Sequence, residues 1–160
     1  MTLATARLTF EPVLLDAAKA LSAGEPAGWT WLDGGPFEGT QTAAGMVVVA
    51  AGSGHWQPEW GMFVLVRSDD DVAVGGMGFH GPPSDGEVEI GFDLCESARG
   101  NGYATEGLVA LAAWALEQPG VDVVVARTEE DNVASQHVME RSGFSRMTSM
   151  DDLWRYELAG

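Results

Sequence analysis

The chain has 160 residues, 46% of them hydrophobic and 20% charged, a composition typical of one folded domain over residues 1–160 rather than of a disordered segment. Its formal net charge of −16 disfavours nucleic acid and anionic membranes as partners and favours cationic ones such as amines, although adaptation to salt would also explain it. One cysteine excludes a disulfide framework, and no apolar run is long enough to span a bilayer. With no secretory leader in "MTLATARLTF", we expect a cytoplasmic protein.

The first third of the chain predicts one strand and two helices around an irregular segment. "RLTFEP" predicts a strand, and "VLLDAAKALSAG" predicts a helix. The apolar residues expected on one face of that helix are Leu14, Ala17, Ala18 and Leu21. Residues 25–39, rich in Gly, Pro and Trp, predict irregular structure. "TQTAAGMVVVAAGSG" fits a helix by its alanines or a strand by "MVVV", and we favour the helix because Gly52 and Gly54 would end it.

The middle of the chain predicts an antiparallel meander. "GMFVLVRS", "VAVGGMGFHG" and "EVEIGFDL" each have the composition of a strand, and the segments "DDD" and "PPSDG" between them are typical turns. A helix follows in "YATEGLVALAAWALEQ", which is apolar on most faces and should be largely buried. Its expected core residues are Leu108, Leu111, Ala112 and Ala115.

The last part of the chain predicts strand, helix and strand. "VDVVVARTEE" reads as a buried strand and "DDLWRYELA" as a final one. "NVASQHVMERSG" predicts a helix, with Asp131 or Asn132 as the N-cap and Gly143 at its end. The order predicts an α/β (α+β) fold with a single mixed central sheet, an antiparallel meander followed by β-α-β-α-β, and helices on both faces.

The stretch "CESARGNGYATEG", between a strand and a helix, has the glycines expected of a phosphate-binding turn. A P-loop would need a lysine that is absent, and a dinucleotide fingerprint would need glycine where Thr105 stands. The pattern Arg99-x-x-Gly102-x-Ala104 would instead present successive backbone N–H groups at a helix N-terminus to an anion, with Arg99 adding charge. The alternative is that the glycines only shape a turn.

Three motifs in order resemble the GNAT N-acetyltransferase superfamily. The pattern from Arg99 to Ala104 resembles its acyl-coenzyme A loop, "EIGF" at residues 89–92 resembles the preceding strand, and "NVASQHVMERSGF" at residues 132–144 resembles its last helix. These motifs are most similar to those of the ribosomal-protein-alanine acetyltransferase branch, and the resemblance runs from about Trp60 to the C-terminus. It implies a GNAT-like fold and acetyl transfer from acetyl-coenzyme A to the primary amine of a small molecule or a protein N-terminus. A homodimer is compatible with it.

The resemblance also implies where the coenzyme lies. The strands "EVEIGFDL" and "VDVVVART" would splay apart, the pantetheine arm would pair with the main chain of Phe92 and Leu94, and the Phe92 N–H would polarise the acetyl carbonyl. The residues expected to bind the coenzyme are Phe92, Leu94, Arg99, Gly100, Asn101, Gly102, Tyr103, Ala104, Thr105, Asn132 and Ser135. Asn132 and Ser135 are also compatible with a simple helix cap.

Glu89 is the candidate base that takes the proton of the amine, because the family often has a carboxylate on this strand. Alternation places it on one face with Glu87 and Asp93, so a solvated face and a water chain as base are the alternatives. Many relatives protonate the leaving thiolate with a tyrosine where this chain has Met139, which leaves Ser135 or a water as the donor. That departure also favours a second hypothesis, a module that binds acyl-coenzyme A without catalysis.

The remaining polar and aromatic candidates are expected to be structural. His55, His80 and His137 lack the spacing of a metal site, and His137 should lie on a helix surface. Cys95 is expected in the core, because the family transfers acetyl directly without a thiol nucleophile. The tryptophans of the first part lie where the family has its acceptor pocket, but a core role is favoured for each: Trp29, Trp31, Trp56 and Trp60.

Overall fold

The computed structural model describes residues 3–149 and 151–160, within which nine strands form a single sheet and four α-helices pack against it. The strands are β1 (Leu3–Ala4), β2 (Leu8–Pro12), β3 (Thr30–Trp31), β4 (Met62–Arg67), β5 (Val72–Phe79), β6 (Glu87–Leu94), β7 (Val123–Thr128), β8 (Ser145–Met147) and β9 (Trp154–Ala159). The helices are α1 (Leu15–Ser22), α2 (Glu38–Gly52), α3 (Tyr103–Leu116) and α4 (Val133–Arg141). None of these helices is long and apolar enough to cross a membrane.

The sheet is mixed, in the spatial order β1-β2-β4-β5-β6-β7-β9-β8, with β3 paired to β5 off this path. Strands β4, β5 and β6 pair antiparallel, which confirms the predicted meander. Strand β7 returns parallel to β6 after α3, and β9 then pairs antiparallel with β7. The predicted fold class, a single mixed sheet with a meander followed by alternating helices and strands, is therefore confirmed.

The two faces of the sheet bury two separate cores, because successive side chains of a strand point to opposite faces. In β4, Phe63 and Leu65 pack into the core that holds Leu108 of α3. Their neighbours in the same strand, such as Val64, pack into the core that holds Ala44 of α2. Helices therefore cover both faces, as predicted, with α1 and α2 on one side and α3 and α4 on the other.

Most predicted elements are confirmed, including the burial of α3 and the helix predicted within "TQTAAGMVVVAAGSG", which is observed as α2 over Glu38–Gly52. The expected role of Leu14 is wrong: α1 begins at Leu15, Leu14 has an extended backbone and is 55% exposed, and Val13 is buried instead. Strand β8 was not predicted, because its three residues are all exposed and carry no apolar alternation. The N-cap of α4 is Asn132, and Gly143 follows its end with a positive φ.

Candidate active site

Strands β6 and β7 pair along only the first half of β6. They pair in register from Glu87 opposite Val123 to Ile90 opposite Ala126, and no further. Beyond that point β6 stays paired with β5 as far as Leu94, and β7 stays paired with β9. Each half of the sheet remains intact, so a gap opens between the carboxyl ends of two parallel strands, which is where ligands commonly bind in such sheets.

The main chain of Phe92 and Leu94 faces this gap. The N–H of His80 donates to the Glu89 carbonyl at 2.9 Å, and the N–H of Cys95 donates to the Val74 carbonyl at 2.8 Å. Hydrogen-bonded and non-hydrogen-bonded pairs alternate along an antiparallel ladder. The odd-numbered residues of β6 therefore bond to β5, and the even-numbered ones direct their backbone N–H and C=O groups away from β5. The register thus directs the Phe92 N–H toward the gap, where a strand-like ligand arm could pair with it.

The glycine-rich loop leads from the end of β6 into α3. A 3₁₀ turn over Glu96–Ala98 is followed by Gly100 at φ +81° and by Gly102 at φ +80°, the N-cap of the helix. Within residues 3–149 and 151–160 no side chain caps α3, so the N–H groups of Tyr103 and its neighbours at the first turn are available to an anion. This backbone conformation is the reason for glycine at both positions, since a Cβ on Gly100 would meet nothing within 4 Å.

Packing explains the small side chains at two positions in the first turns of α3. Ala104 is 6% exposed and belongs to the core on the α3 side of the sheet. A Cβ on Gly107 would lie 3.1 Å from the Met77 Cε atom and 3.5 Å from the Phe10 ring. Gly107 therefore lets α3 approach the sheet closely.

Arg7, which the sequence analysis did not single out, holds the loop in place. Its Nη1 donates to the Asn101 carbonyl at 2.9 Å, and its guanidinium lies 4.5 Å from the centre of the Tyr103 ring. Its Nε donates to Glu106 at 2.7 Å, and its backbone N–H donates to the same carboxylate at 2.9 Å. The start of β2 is thereby connected to the loop and to the first turn of α3. Arg99 folds back, donating to the Leu94 carbonyl at 3.3 Å.

We expect Arg7→Ala to weaken the binding of coenzyme A about 3- to 10-fold by releasing the loop that presents the N–H groups. Calorimetric titration measures this change. Arg146→Ala is the matched control, since Arg146 lies over the Trp154 ring on the edge strand β8 and should leave the affinity unchanged. Equal affinities for the Arg7 variant and the wild type would show that the loop keeps its shape unaided.

Glu89 lies in a small ionic cluster beside the gap. Its Oε2 is 3.1 Å from Nδ1 of His80, its neighbour across the β5–β6 ladder, and its Oε1 is 3.7 Å from Nη1 of Arg127 on β7. The hydrogen bond from His80 lowers the pKa of Glu89, and Arg127 contributes, while burial acts in the opposite direction. The carboxylate is therefore ionised near neutral pH. Glu87 and Asp93 share this face of the sheet, as predicted.

Helix α4 brings Asn132 and Ser135 to the other side of the gap. The Asn132 Oδ1 accepts from the backbone N–H of Ser135 at 3.2 Å, and both residues line the same cavity as Phe92. Met139, one turn further along, is 2% exposed and also lines it. The position at which a tyrosine was expected is thus occupied by a buried thioether at the wall of the cleft.

A cavity of about 1110 Å³ extends from the gap under α2. Its walls include exposed apolar side chains of the helix, Met46 and Val49, together with Trp56 and Trp60 from the segment before β4. Asp93 lies at its inner end, where burial raises the pKa of its carboxyl group and Thr40 donates hydrogen bonds to it. The cavity is large enough for a small organic molecule and mostly apolar, which is typical of a ligand site.

The tryptophans and Cys95 are buried or partly buried, as expected of structural residues, and Trp56 also lines the cavity. Trp31 and Trp60 are buried at 7% and 8% exposure, Trp29 packs against the core on the α2 side, and Cys95 is 2% exposed. Burial raises the pKa of the Cys95 thiol to about 11, which keeps it protonated and unreactive. Trp56, only partly buried, lines the cavity, and its buried indole N–H has no hydrogen-bond partner among the residues that the structure describes.

Comparison with known proteins identifies the class. A model of the acetyltransferase (GNAT) domain matches residues 7–145, so the chain belongs to the GNAT acetyltransferase family. The chain is 41% identical over 83 residues to the uncharacterized N-acetyltransferase YjdG of Bacillus subtilis (strain 168), a match that covers 51% of this chain and 49% of that protein. The chain therefore aligns with about half the length of this curated relative.

Solved structures share the whole fold. An acetyltransferase from Agrobacterium tumefaciens str. C58 is 25% identical with a TM-score of 0.70, covering 100% of this chain and 95% of the other. RimL, a ribosomal L7/L12 alpha-N-protein acetyltransferase solved in complex with coenzyme A, is 19% identical with a TM-score of 0.71, covering 99% and 98%. The predicted resemblance to this superfamily is confirmed.

The site contains three residues whose roles sequence reasoning missed: Arg7, His80 and Arg127. For His80 a signal existed, because a tight turn between the strands ending at Phe79 and beginning at Glu87 places His80 opposite Glu89. No comparable signal existed for Arg7, since it meets Glu106 across 99 positions of the chain.

Proposed function

We propose that this chain transfers an acetyl group from acetyl-coenzyme A to a primary amine. The observation that carries the proposal is the gap between β6 and β7, which exposes the main chain of Phe92 beside the uncapped N-terminus of α3. An extended pantetheine arm fits the first feature and a pyrophosphate fits the second. Membership of the family and the coenzyme A found in the RimL structure support the choice of coenzyme.

The loop would supply the local attraction that an acidic chain needs in order to hold a polyanion. The N–H groups of Tyr103, Ala104 and Thr105 begin α3 and add to the positive end of the helix dipole. Arg99 and Asn101 belong to the same loop, and Gly100 and Gly102 give the backbone its positive φ angles. These are the residues that we propose to bind the pyrophosphate: Arg99, Gly100, Asn101, Gly102, Tyr103, Ala104 and Thr105.

The remaining parts of the site suit direct transfer. The Phe92 N–H would donate to the acetyl carbonyl as negative charge develops on its oxygen, which is a large effect in acyl transfer. Leu94, whose carbonyl already accepts from Arg99, would offer its N–H to the pantetheine arm. Glu89, paired with His80, would supply the carboxylate of the group that takes the proton of the amine, and Asn132 and Ser135 would lie against the thioester end. The Ser135 hydroxyl would protonate the departing thiolate, directly or through water.

The acceptor would enter through the cavity under α2. A volume of about 1110 Å³ holds a small amine completely or the first residues of a peptide. The half-buried Asp93 would attract a positively charged acceptor, and the apolar walls would hold its body. We therefore propose a small primary amine or a protein N-terminus as the acceptor, approached from the side of the sheet opposite α3.

The test combines titration calorimetry with a thiol-release assay. We expect acetyl-coenzyme A to bind and free thiol to appear with at least one member of a panel of small aliphatic amines, aromatic amines and N-terminal peptides. Absence of binding at millimolar coenzyme would refute the proposal.

A second function, coenzyme binding without catalysis, is favoured by one observation: buried Met139 stands where many relatives have the tyrosine that protonates the thiolate. It predicts the same titration with no turnover on any amine. If Glu89→Gln lowers a measured activity and leaves the affinity for acetyl-coenzyme A unchanged, this second function is excluded.

A further inference from the structure

We propose that His80 is the group that receives the proton of the attacking amine and that Glu89 orients it. The inference rests on the proposed acetyl transfer and assigns the proton acceptor within the same site. Nδ1 of His80 lies 3.1 Å from Oε2 of Glu89. An ionised carboxylate at this distance favours the neutral tautomer in which Nδ1 carries the proton and donates it, so that Nε2 keeps its lone pair.

The second nitrogen of His80 lies over the residue that precedes Phe92. Nε2 lies 2.9 Å from the position that a Cβ on Gly91 would occupy, so the imidazole covers this glycine. Gly91 directly precedes Phe92, whose N–H is the proposed donor to the acetyl carbonyl. His80, Gly91 and Phe92 all line the cavity under α2, and an amine that enters through this cavity reaches the strand beside Nε2.

Glu89 is less suited to take the proton itself. One of its oxygens faces the His80 ring and the other faces Arg127, so both are engaged on the side of the protein. The same neighbours lower its pKa, which makes the carboxylate a weaker base. The His80 side chain, in contrast, is 39% exposed and lines the cavity, so it can reach a ligand there.

The charged and titratable groups around His80 belong to three strands and to the segment between α2 and β4. On this face of the sheet β6 carries Glu87, Glu89 and Asp93, β7 carries Arg127, and β9 carries Arg155 and Glu157. His55 lies in the segment between α2 and β4, and the residues of α2 that line the cavity are uncharged. Arg155 bonds to Glu87 at 2.6 Å and to Glu157 at 2.7 Å, so Glu89 is the carboxylate bonded to the imidazole.

In the proposed step the acetyl group moves from the sulfur of the coenzyme to the nitrogen of the amine. The nitrogen–carbon bond forms as the neutral amine attacks the acetyl carbonyl, and one N–H proton passes to Nε2 of His80. The carbon–sulfur bond breaks, and the thiolate takes a proton from the Ser135 hydroxyl, which solvent restores. The imidazolium then releases its proton to solvent, and the amide and coenzyme A thiol leave.

The kinetic test compares His80→Gln with Glu89→Gln on the amine that gives turnover. His80→Gln should lower kcat about 100-fold, as expected for a lost general base, while calorimetry shows unchanged affinity for acetyl-coenzyme A. Its kcat/KM should also lose the decline at low pH that marks protonation of the base. Glu89→Gln should keep that decline with a smaller loss of kcat, about 10-fold, because the imidazole remains. His137→Gln, on the exposed face of α4, is the matched control and should behave as the wild type.

Two further measurements distinguish a catalytic role of His80 from a structural one. Added imidazole should restore part of the activity of His80→Ala, which a purely structural role would not allow. Nitrogen chemical shifts should show the Nδ1–H tautomer of His80 in the wild type, and this measurement needs no turnover. An Nε2–H tautomer would overturn the proposal whether or not the chain acetylates amines. Retention of the low-pH decline in His80→Gln, with a larger loss of kcat in Glu89→Gln, would assign the base to Glu89.

Discussion

Gly75→Ala is expected to lower the free energy of unfolding by about 3 kcal/mol, at the upper end of the usual cost of overpacking. A Cβ at this position would lie 2.1 Å from the Asp93 carbonyl oxygen and 2.9 Å from the Leu94 Cα atom. Both are backbone atoms of the neighbouring strand, so the clash is relieved only by moving β6 away from β5. Urea unfolding followed by circular dichroism measures the change.

The matched control is Gly45→Ala within α2, where a Cβ would meet nothing within 4 Å. Alanine there should raise the stability by about 0.5–1 kcal/mol, because it has the higher helix propensity. Because β6 also borders the gap, the Gly75 variant should bind acetyl-coenzyme A more weakly even where it remains folded. Wild-type stability in the Gly75 variant would contradict the close spacing of β5 and β6.

Gly102→Ala is expected to weaken the binding of acetyl-coenzyme A about 10-fold and to cost about 1–2 kcal/mol of stability, the usual penalty of a side chain in the left-handed region. Gly102 caps α3 at φ +80°, and a Cβ there would lie 3.3 Å from Nη2 of Arg7. The substitution disturbs both the direction of the first N–H groups of the helix and the guanidinium that holds the loop. Calorimetry and thermal unfolding give the two numbers.

Gly120→Ala separates these two effects. Gly120, in the turn between α3 and β7, has φ +86°, and a Cβ on it would meet nothing within 4 Å. It should therefore show a similar loss of stability with unchanged affinity for the coenzyme. If both variants bind the coenzyme as the wild type does, the N-terminus of α3 is not its anchor.

The part of the fold that the sequence predicted correctly is the part governed by neighbours along the chain. The helix over residues 38–52 was correct because glycines end an alanine-rich segment, and α4 was correct because Asn132 caps it and Gly143 follows it. Strand β8 was missed because its three exposed residues have no apolar pattern. Leu14 was misplaced because the same apolar spacing fits a helix that begins one residue earlier.

Motifs within a few residues of one another determined the glycine-rich loop, the strand before it and the cap of α4, because positive φ angles, strand alternation and capping are local properties of the backbone. Tertiary structure alone decided that Arg7 holds the loop through Glu106, 99 positions away, and that Glu89 bonds to His80 and faces Arg127. It also decided where the pairing of β6 with β7 ends. These features depend on strand order and register, which bring distant residues together and which no local pattern of the chain encodes.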